Sequence, residues 1–141
     1  MAFIVKIDGP ESFEVAKECV KGVKITTDIP LDANARTKDV GATMVITGKI
    51  LTAVDGDPFD STMKMGLWSV VPAEKADCYR SVTVEYVAAG VMERKYTFPN
   101  AFVIDYEEDY GDEAGVGTFT LTIKQKKDKF DKVLVEGGYT I

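Results

Sequence analysis

A mainly β fold, an antiparallel β-barrel or sandwich with one short α-helix on its side, follows from three features of the sequence. Apolar residues recur at every second position through most of the chain, the period that puts one strand face on a core and the other in water. Those runs are rich in β-branched and aromatic residues, which suit a pleated, half-buried surface. One segment alone, 60–71, switches to a helical period.

Taken in order, Phe3, Val5 and Ile7 share one face of an opening strand, and Val23, Ile25 and Thr27 repeat the pattern. Met44, Ile46, Gly48 and Ile50 give a third strand, and Val82, Val84 and Tyr86 begin a meander that runs to Ile123. Within it Ala88-Ala89-Gly90 reads as a turn, and strands 91–98 and 101–108 are separated by Pro99-Asn100. Phe102, Ile104 and Tyr106 fall on one face of the latter, Asp105 and Glu107 on the other. The clearest strand is 118–126, with Phe119, Leu121 and Ile123 pointing one way and Thr118, Thr120, Thr122 and Lys124 the other.

In the helical segment Met63, Leu67 and Val70 fall at i, i+4 and i+7, with Gly66 on the same side, so this stripe is expected to face the core. Asp60 or Ser61 is the expected N-cap, and Pro72 the stop. Trp68 and the two methionines read as packing residues rather than a ligand box. Segment 28–41 is too long and too polar for a tight turn, and loops of that kind are often functional, which makes it the expected partner-binding loop.

The chain has 141 residues, enough for one domain, 1–141, with its own core. Apolar residues at 45% and charged residues at 28% describe a globular protein rather than a disordered one. The net charge of −6, its acidic excess concentrated in 105–113, argues against nucleic-acid binding, which needs clustered Lys and Arg. The basic cluster Lys124, Lys126, Lys127, Lys129 is interrupted by Asp128 and reads as a solvated strand end. No apolar run approaches a membrane span, and MAFIVKIDG does not resemble an export signal. Cys19 and Cys78 match no metal or redox spacing and read as reduced thiols of a chain made in the cytoplasm.

Catalytic chemistry finds few residues to carry it. The chain has no histidine, which removes Ser-His-Asp and Cys-His arrangements and the His-containing metal sites together. Asp55-Gly56-Asp57-Pro58-Phe59-Asp60 resembles the start of a calcium loop. Its sixth and twelfth positions, however, hold Asp60 and Gly66 where Gly and Glu are needed, so helix capping is the better reading. The acidic run Asp105, Glu107, Glu108, Asp109, Asp112, Glu113 reads as a solvated strand end and hairpin rather than a cation site or a glycosidase pair. No cofactor, metal or catalytic residue is expected.

The second half carries a resemblance. The stretches SVTVEYV and ERKYTFPNAFVIDYEEDYGDEAGVGTFTLTIKQKK are similar to the pattern of the haemolysin-coregulated-protein (Hcp) and phage tail-tube superfamily of contractile injection systems. A charged strand leads into F-x-N-A, then an alternating strand with an acidic end, a glycine-bearing hairpin and a Thr-alternating strand. Phe98, Asn100, Ala101, Tyr106, Thr118, Thr120, Leu121 and Ile123 carry it. The order of elements resembles the family over nearly the whole chain, although the chain is shorter than the larger members and shows no extra hairpins. The resemblance implies six copies closing into a ring, rings stacking into a hollow tube, and segment 28–41 reaching the neighbouring ring. Sheath, baseplate or effector proteins are the implied further partners, and the implied setting is cytoplasmic assembly followed by export with the machine.

Residues expected at the assembly interface are Asp32, Arg36, Lys38 and Asp39, whose mixed charges suit register-setting between identical rings, together with Tyr139 and Ile141 near the C-terminus. Two other readings stay open. One is a monomeric or dimeric β-barrel module that binds a peptide or small ligand at a barrel face or near Trp68. The other is a hydrolase built on carboxylates or on Cys78.

Overall fold

The computed structural model describes residues 2–28, 41–52, 54, 56–72, 78–88, 91–111, 117–126 and 133–137. The strands are β1 (Ala2–Asp8), β2 (Phe13–Val15), β3 (Val20–Asp28), β4 (Gly41–Ile50), β5 (Arg80–Ala88), β6 (Val91–Asp109), β7 (Gly117–Gln125) and β8 (Leu134–Gly137). One helix, α1 (Ser61–Ser69), stands between β4 and β5. The pairing order is β2-β1-β5-β6-β7-β4-β3, with β8 joining β6, and every pair is antiparallel.

One long strand makes this order into a sandwich. Pro99-Asn100 does not separate two strands, as the sequence suggests, because β6 continues through it for 19 residues. Its first part pairs with β5, from Ala88↔Val91 to Val82↔Phe98, and its last part pairs with β7, from Ala101↔Gln125 to Asp109↔Thr118. The β5 ladder loses register between Arg80 and Val82, opposite Pro99-Asn100, where the proline has no N–H to contribute. Asn100 is retained on both sides. Its N–H donates to Gln125 Oε1 at 3.2 Å, and its carbonyl accepts from the Lys126 N–H at 2.8 Å. Strand β6 therefore leaves one half-sheet (β2, β1, β5, β8) and enters the other (β7, β4, β3), as strands do at sandwich corners.

The inner faces of both halves meet in one cluster. Val5, Ile7, Val82 and Val84 come from the first, Met44, Ile46, Leu121 and Ile123 from the second, all at most 2% exposed. The strand phases read from the sequence match this burial, with one slip. Val103 pairs with Ile123 but Asp105 with Thr122, so Ile104 is a bulge. Phe102, Ile104 and Tyr106 consequently do not share a face: Val103 and Tyr106 pack on the core, and Ile104 is exposed.

A close approach fixes how the β2–β3 turn joins β4. The Cys19 carbonyl accepts from the Lys49 N–H at 2.7 Å, which brings it over Gly48, where a Cβ would stand 1.8 Å from that oxygen. Only glycine fits there. Burial, with the Asp57 charge adding to it, pushes the Cys19 thiol up to about 11, so it behaves as a small apolar residue.

The helix presents a different face from the expected one. Ser61, Thr62, Met65 and Trp68 are buried, while Met63, Leu67 and Val70 are 52%, 58% and 74% exposed. Trp68 decides the rotation. Its Nε1 donates to the Cys78 carbonyl at 2.9 Å and its ring lies under the Arg80 guanidinium, which ties the helix to the start of β5. The N-cap differs too. Asp60 sits at φ 50°, ψ 52° with no side-chain cap bond. The capping carboxylate is Asp57, 2% exposed, which accepts from Ser61 N (3.0 Å), Ser61 Oγ (2.9 Å) and Thr62 N (3.4 Å). Ser61 Oγ in turn accepts from the Ala16 N–H at 3.1 Å, fastening the cap to the end of β2.

Asp57→Ala is expected to cost about 2 kcal/mol, since it leaves buried donors without their charged acceptor, whereas Asp60→Ala costs under about 0.5 kcal/mol. Urea titration of the two variants checks the contrast, and equal losses would return the cap to Asp60.

Candidate assembly surfaces

Three features of the surface are left unfinished by the fold. The first is a ridge on α1. Met63, Leu67 and Val70 project outward, and Phe59 and Val54, in the segment before the helix, are exposed as well. A cleft of about 420 Å³ runs beside the ridge between Met63, Gly66 and Leu67 on one side and Glu108 and Tyr110 on the other. Tyr106 and Tyr110 both donate to Glu108, at 2.7 and 2.6 Å, and Tyr106 reaches the Thr62 carbonyl at 3.3 Å. Tyr106 holds its proton well above the usual range, chiefly through burial and then through the Glu108 bond. Tyr110 is shifted the same way, chiefly by its bond to Glu108. These hydroxyls are hydrogen-bond donors throughout the physiological range and fix the acidic end of β6 beside the helix.

The second feature is a mouth at the opposite end of β1 and β5. Phe3, Tyr86, Val23, Ile25 and Tyr96 line a cleft of about 530 Å³ with Arg94. All occupy core-facing register positions: Val23 and Ile25 pair with Ile46 and Met44, and Tyr96 pairs with Val84. The sandwich core continues to the surface here, and the Phe3 and Tyr86 rings, 5.2 Å apart, form its outer lip.

The third is the sheet edges. Among the described residues β3 pairs only with β4 and β2 only with β1, so the row of β-strands does not close on itself. Unpaired strand edges are templates for further strands.

The expected interface residues Asp32, Arg36, Lys38, Asp39, Tyr139 and Ile141 lie outside the described residues. Asp105, Glu107, Glu108 and Asp109 are exposed, as expected for a solvated strand end. Lys124 and Lys126 are not simply solvated: both are half-buried, and the Lys126 ammonium stands 4.9 Å from the Tyr79 ring, which meets Phe102 edge-on. Asp57, the carboxylate of the calcium-like segment, is engaged as the helix cap, and no group of three or more metal-ligating side chains gathers among the described residues.

Comparison with solved structures places this architecture. A chain of the anti-feeding prophage baseplate superposes with a TM-score of 0.56 at 14% identity, over 96% of this chain and 92% of that one. Hcp1 from E. coli EAEC 042 gives 0.59 at 10% identity, over 99% and 100%. A chain of the sheath–tube complex of PVC, an extracellular contractile injection system, gives 0.54 at 11% identity, over 96% and 88%. The chain has the Hcp and tail-tube fold. No family model and no curated protein matches the sequence. At these identities the Hcp-like fold rests on the order and pairing of strands, not on shared side chains.

The ridge was missed in the sequence because α1 is apolar on two sides, and the i, i+4, i+7 stripe looked as good as the Met65 and Trp68 side. Replacing Leu67 by Ser is expected to change stability by less than about 0.5 kcal/mol, whereas Met65→Ala costs roughly 2–5 kcal/mol. Thermal melts distinguish the two, and the reverse ranking would rotate the helix back to its expected face.

Proposed function

We propose that this chain is a structural subunit that assembles into hexameric rings, and stacked tubes of them, in a contractile injection system, with no catalytic role. The observation that carries the reading is the Hcp-like and tail-tube-like fold over nearly the full chain, on a subunit whose ridge, mouth and strand edges are without partners among the described residues. A ring needs a heterologous contact, one surface of a copy meeting a different surface of the next, and closed rings also satisfy strand edges between subunits. The ridge and the mouth lie at opposite ends of β1 and β5, so the subunit has two unlike faces to offer.

Segment 28–41 follows β3, an edge strand, and in this reading it reaches the next ring, with Asp32, Arg36, Lys38 and Asp39 setting its register. The sheath and baseplate settings of the structural relatives support a subunit that also meets such proteins; assembly in the cytoplasm and export with the machine belong to the same proposal. A second reading, a peptide- or ligand-binding module, draws on the mouth, whose size and apolar lining with a single arginine suit a small ligand.

Light scattering on the purified chain separates the two. The tube reading expects a particle of six chain masses, and a monomer at every concentration favours the binding module. Reversing Arg36 to Glu is expected to leave such rings intact and to abolish or weaken their stacking at low salt, as seen in electron micrographs. Unchanged stacking would remove the loop from the interface.

A further inference from the structure

We infer that the ridge of one copy seats in the mouth of the next, with the acidic flank of the ridge set against Arg94. This inference rests on the ring reading and names the contact between copies that the reading requires.

Shape carries the first part of it. Leu67 stands between two clefts, one of about 420 Å³ shared with Met63, Glu108 and Tyr110 and one of about 190 Å³ shared with Phe13, Lys64 and Arg80, so it projects as a knob. Met63 and Val70 are exposed beside it on the helix, and Phe59 is exposed just before the helix. Apolar side chains gathered on a surface in this way mark interaction sites, whereas single ones do not. The mouth is the concave counterpart, a cleft of about 530 Å³ lined by Phe3, Val23, Ile25, Tyr86 and Tyr96. Pockets walled by aromatic side chains are where the anchors of an interface are buried.

Charge carries the second part. Asp60 makes no side-chain cap bond and Glu108 accepts from two tyrosine hydroxyls, and neither carboxylate forms an ion pair among the described residues. Both line the cleft on the β6 side of the ridge. Arg94 is exposed at the mouth and forms no ion pair among the described residues either. Ridge against mouth therefore brings opposite charges together. Mouth against mouth would bring two guanidinium groups into one apolar interface, and ridge against ridge would oppose two convex surfaces.

Placement carries the third. Phe3 pairs with Tyr86 at the mouth end of the β1–β5 ladder, and Asp8 with Ser81 at the other end, next to Arg80, whose guanidinium covers Trp68 of α1. One copy thus presents its ridge and its mouth at different ends. A contact between them is heterologous, so each added copy leaves one free ridge and one free mouth until the row closes.

Cross-linking between two different variants tests the inference. A ridge variant, Leu67→Cys, is mixed in dilute solution with a mouth variant, Phe3→Cys or Ile25→Cys, and the mixture is concentrated, oxidised with glutathione disulfide and run on a non-reducing gel. The parent chain, whose Cys19 and Cys78 are both buried, is the control, and circular dichroism checks that each variant folds as the parent does. At least one mixture is expected to give a linked dimer in several-fold excess over either variant alone. Adding Arg94→Glu to the mouth variant, or Glu108→Lys to the ridge variant, is expected to lower that yield several-fold at low salt, and the two reversals together to restore it. Ridge variants that link among themselves as well as they do in the mixtures would overturn the inference. Light scattering on the parent chain separates this failure from that of the ring reading. A multimeric parent with no excess linking in either mixture overturns the ridge-to-mouth contact alone, whereas a parent that stays monomeric at every concentration and never links overturns both.

Discussion

The passage of β6 from one half-sheet to the other at Pro99-Asn100 is the constraint on which the rest of the structure depends. Proline removes one ladder donor, and the β5 ladder breaks register at this point. Gln125, 2% exposed at the end of β7, then holds the Asn100 N–H, while Asn100 holds the Lys126 N–H. A buried amide side chain is costly unless it is bonded, so its placement here ties the turn of the strand to the strand that follows it. Everything inward of that corner is the shared core of two half-sheets. Among the described residues β2 and β3 stand at the two ends of the row of strands.

The helix depends on a second buried polar group. Asp57 closes the first turn of α1, and Ser61 passes the connection on to Ala16 after β2. Trp68 fixes the other end against Cys78 and Arg80. With both ends held, the rotation of the helix is set, and its outward ridge of Met63, Leu67 and Val70 follows from the anchoring rather than from the apolar pattern. The polar anchors thus determine which apolar side of the helix is left outward.

Much of this architecture was legible because period-two patterning maps directly onto burial. Val5, Ile7, Met44, Ile46, Val82, Val84, Phe119, Leu121 and Ile123 are all buried where alternation put them. The resemblance read from F-x-N-A and the Thr-alternating strand agrees with the Hcp and tail-tube fold found by superposition. The sequence misled where a local rule met a tertiary choice. Asp60 is next to the helix and looked like its cap, but three residues earlier Asp57 could turn inward. The two apolar sides of α1 could not be ranked without knowing that Trp68 had a carbonyl to bond. Pro99 looked like a strand break, whereas Gln125, in phase with Phe119, Leu121 and Ile123, was the signal that the strand carried on beside it. The expected interface residues in segment 28–41 and at the C-terminus depend on a second copy or on residues beyond those described, so nothing in a single subunit could rank them.

Amide hydrogen exchange on Gln125→Leu, compared with the parent chain, tests most directly whether the β6 corner joins the two half-sheets. The account predicts that protection falls together in β5 and in β7, by a similar factor, because both sheets hang on the same corner. Loss confined to the amides of Asn100 and its immediate neighbours, with β5 and β7 as protected as before, would contradict it.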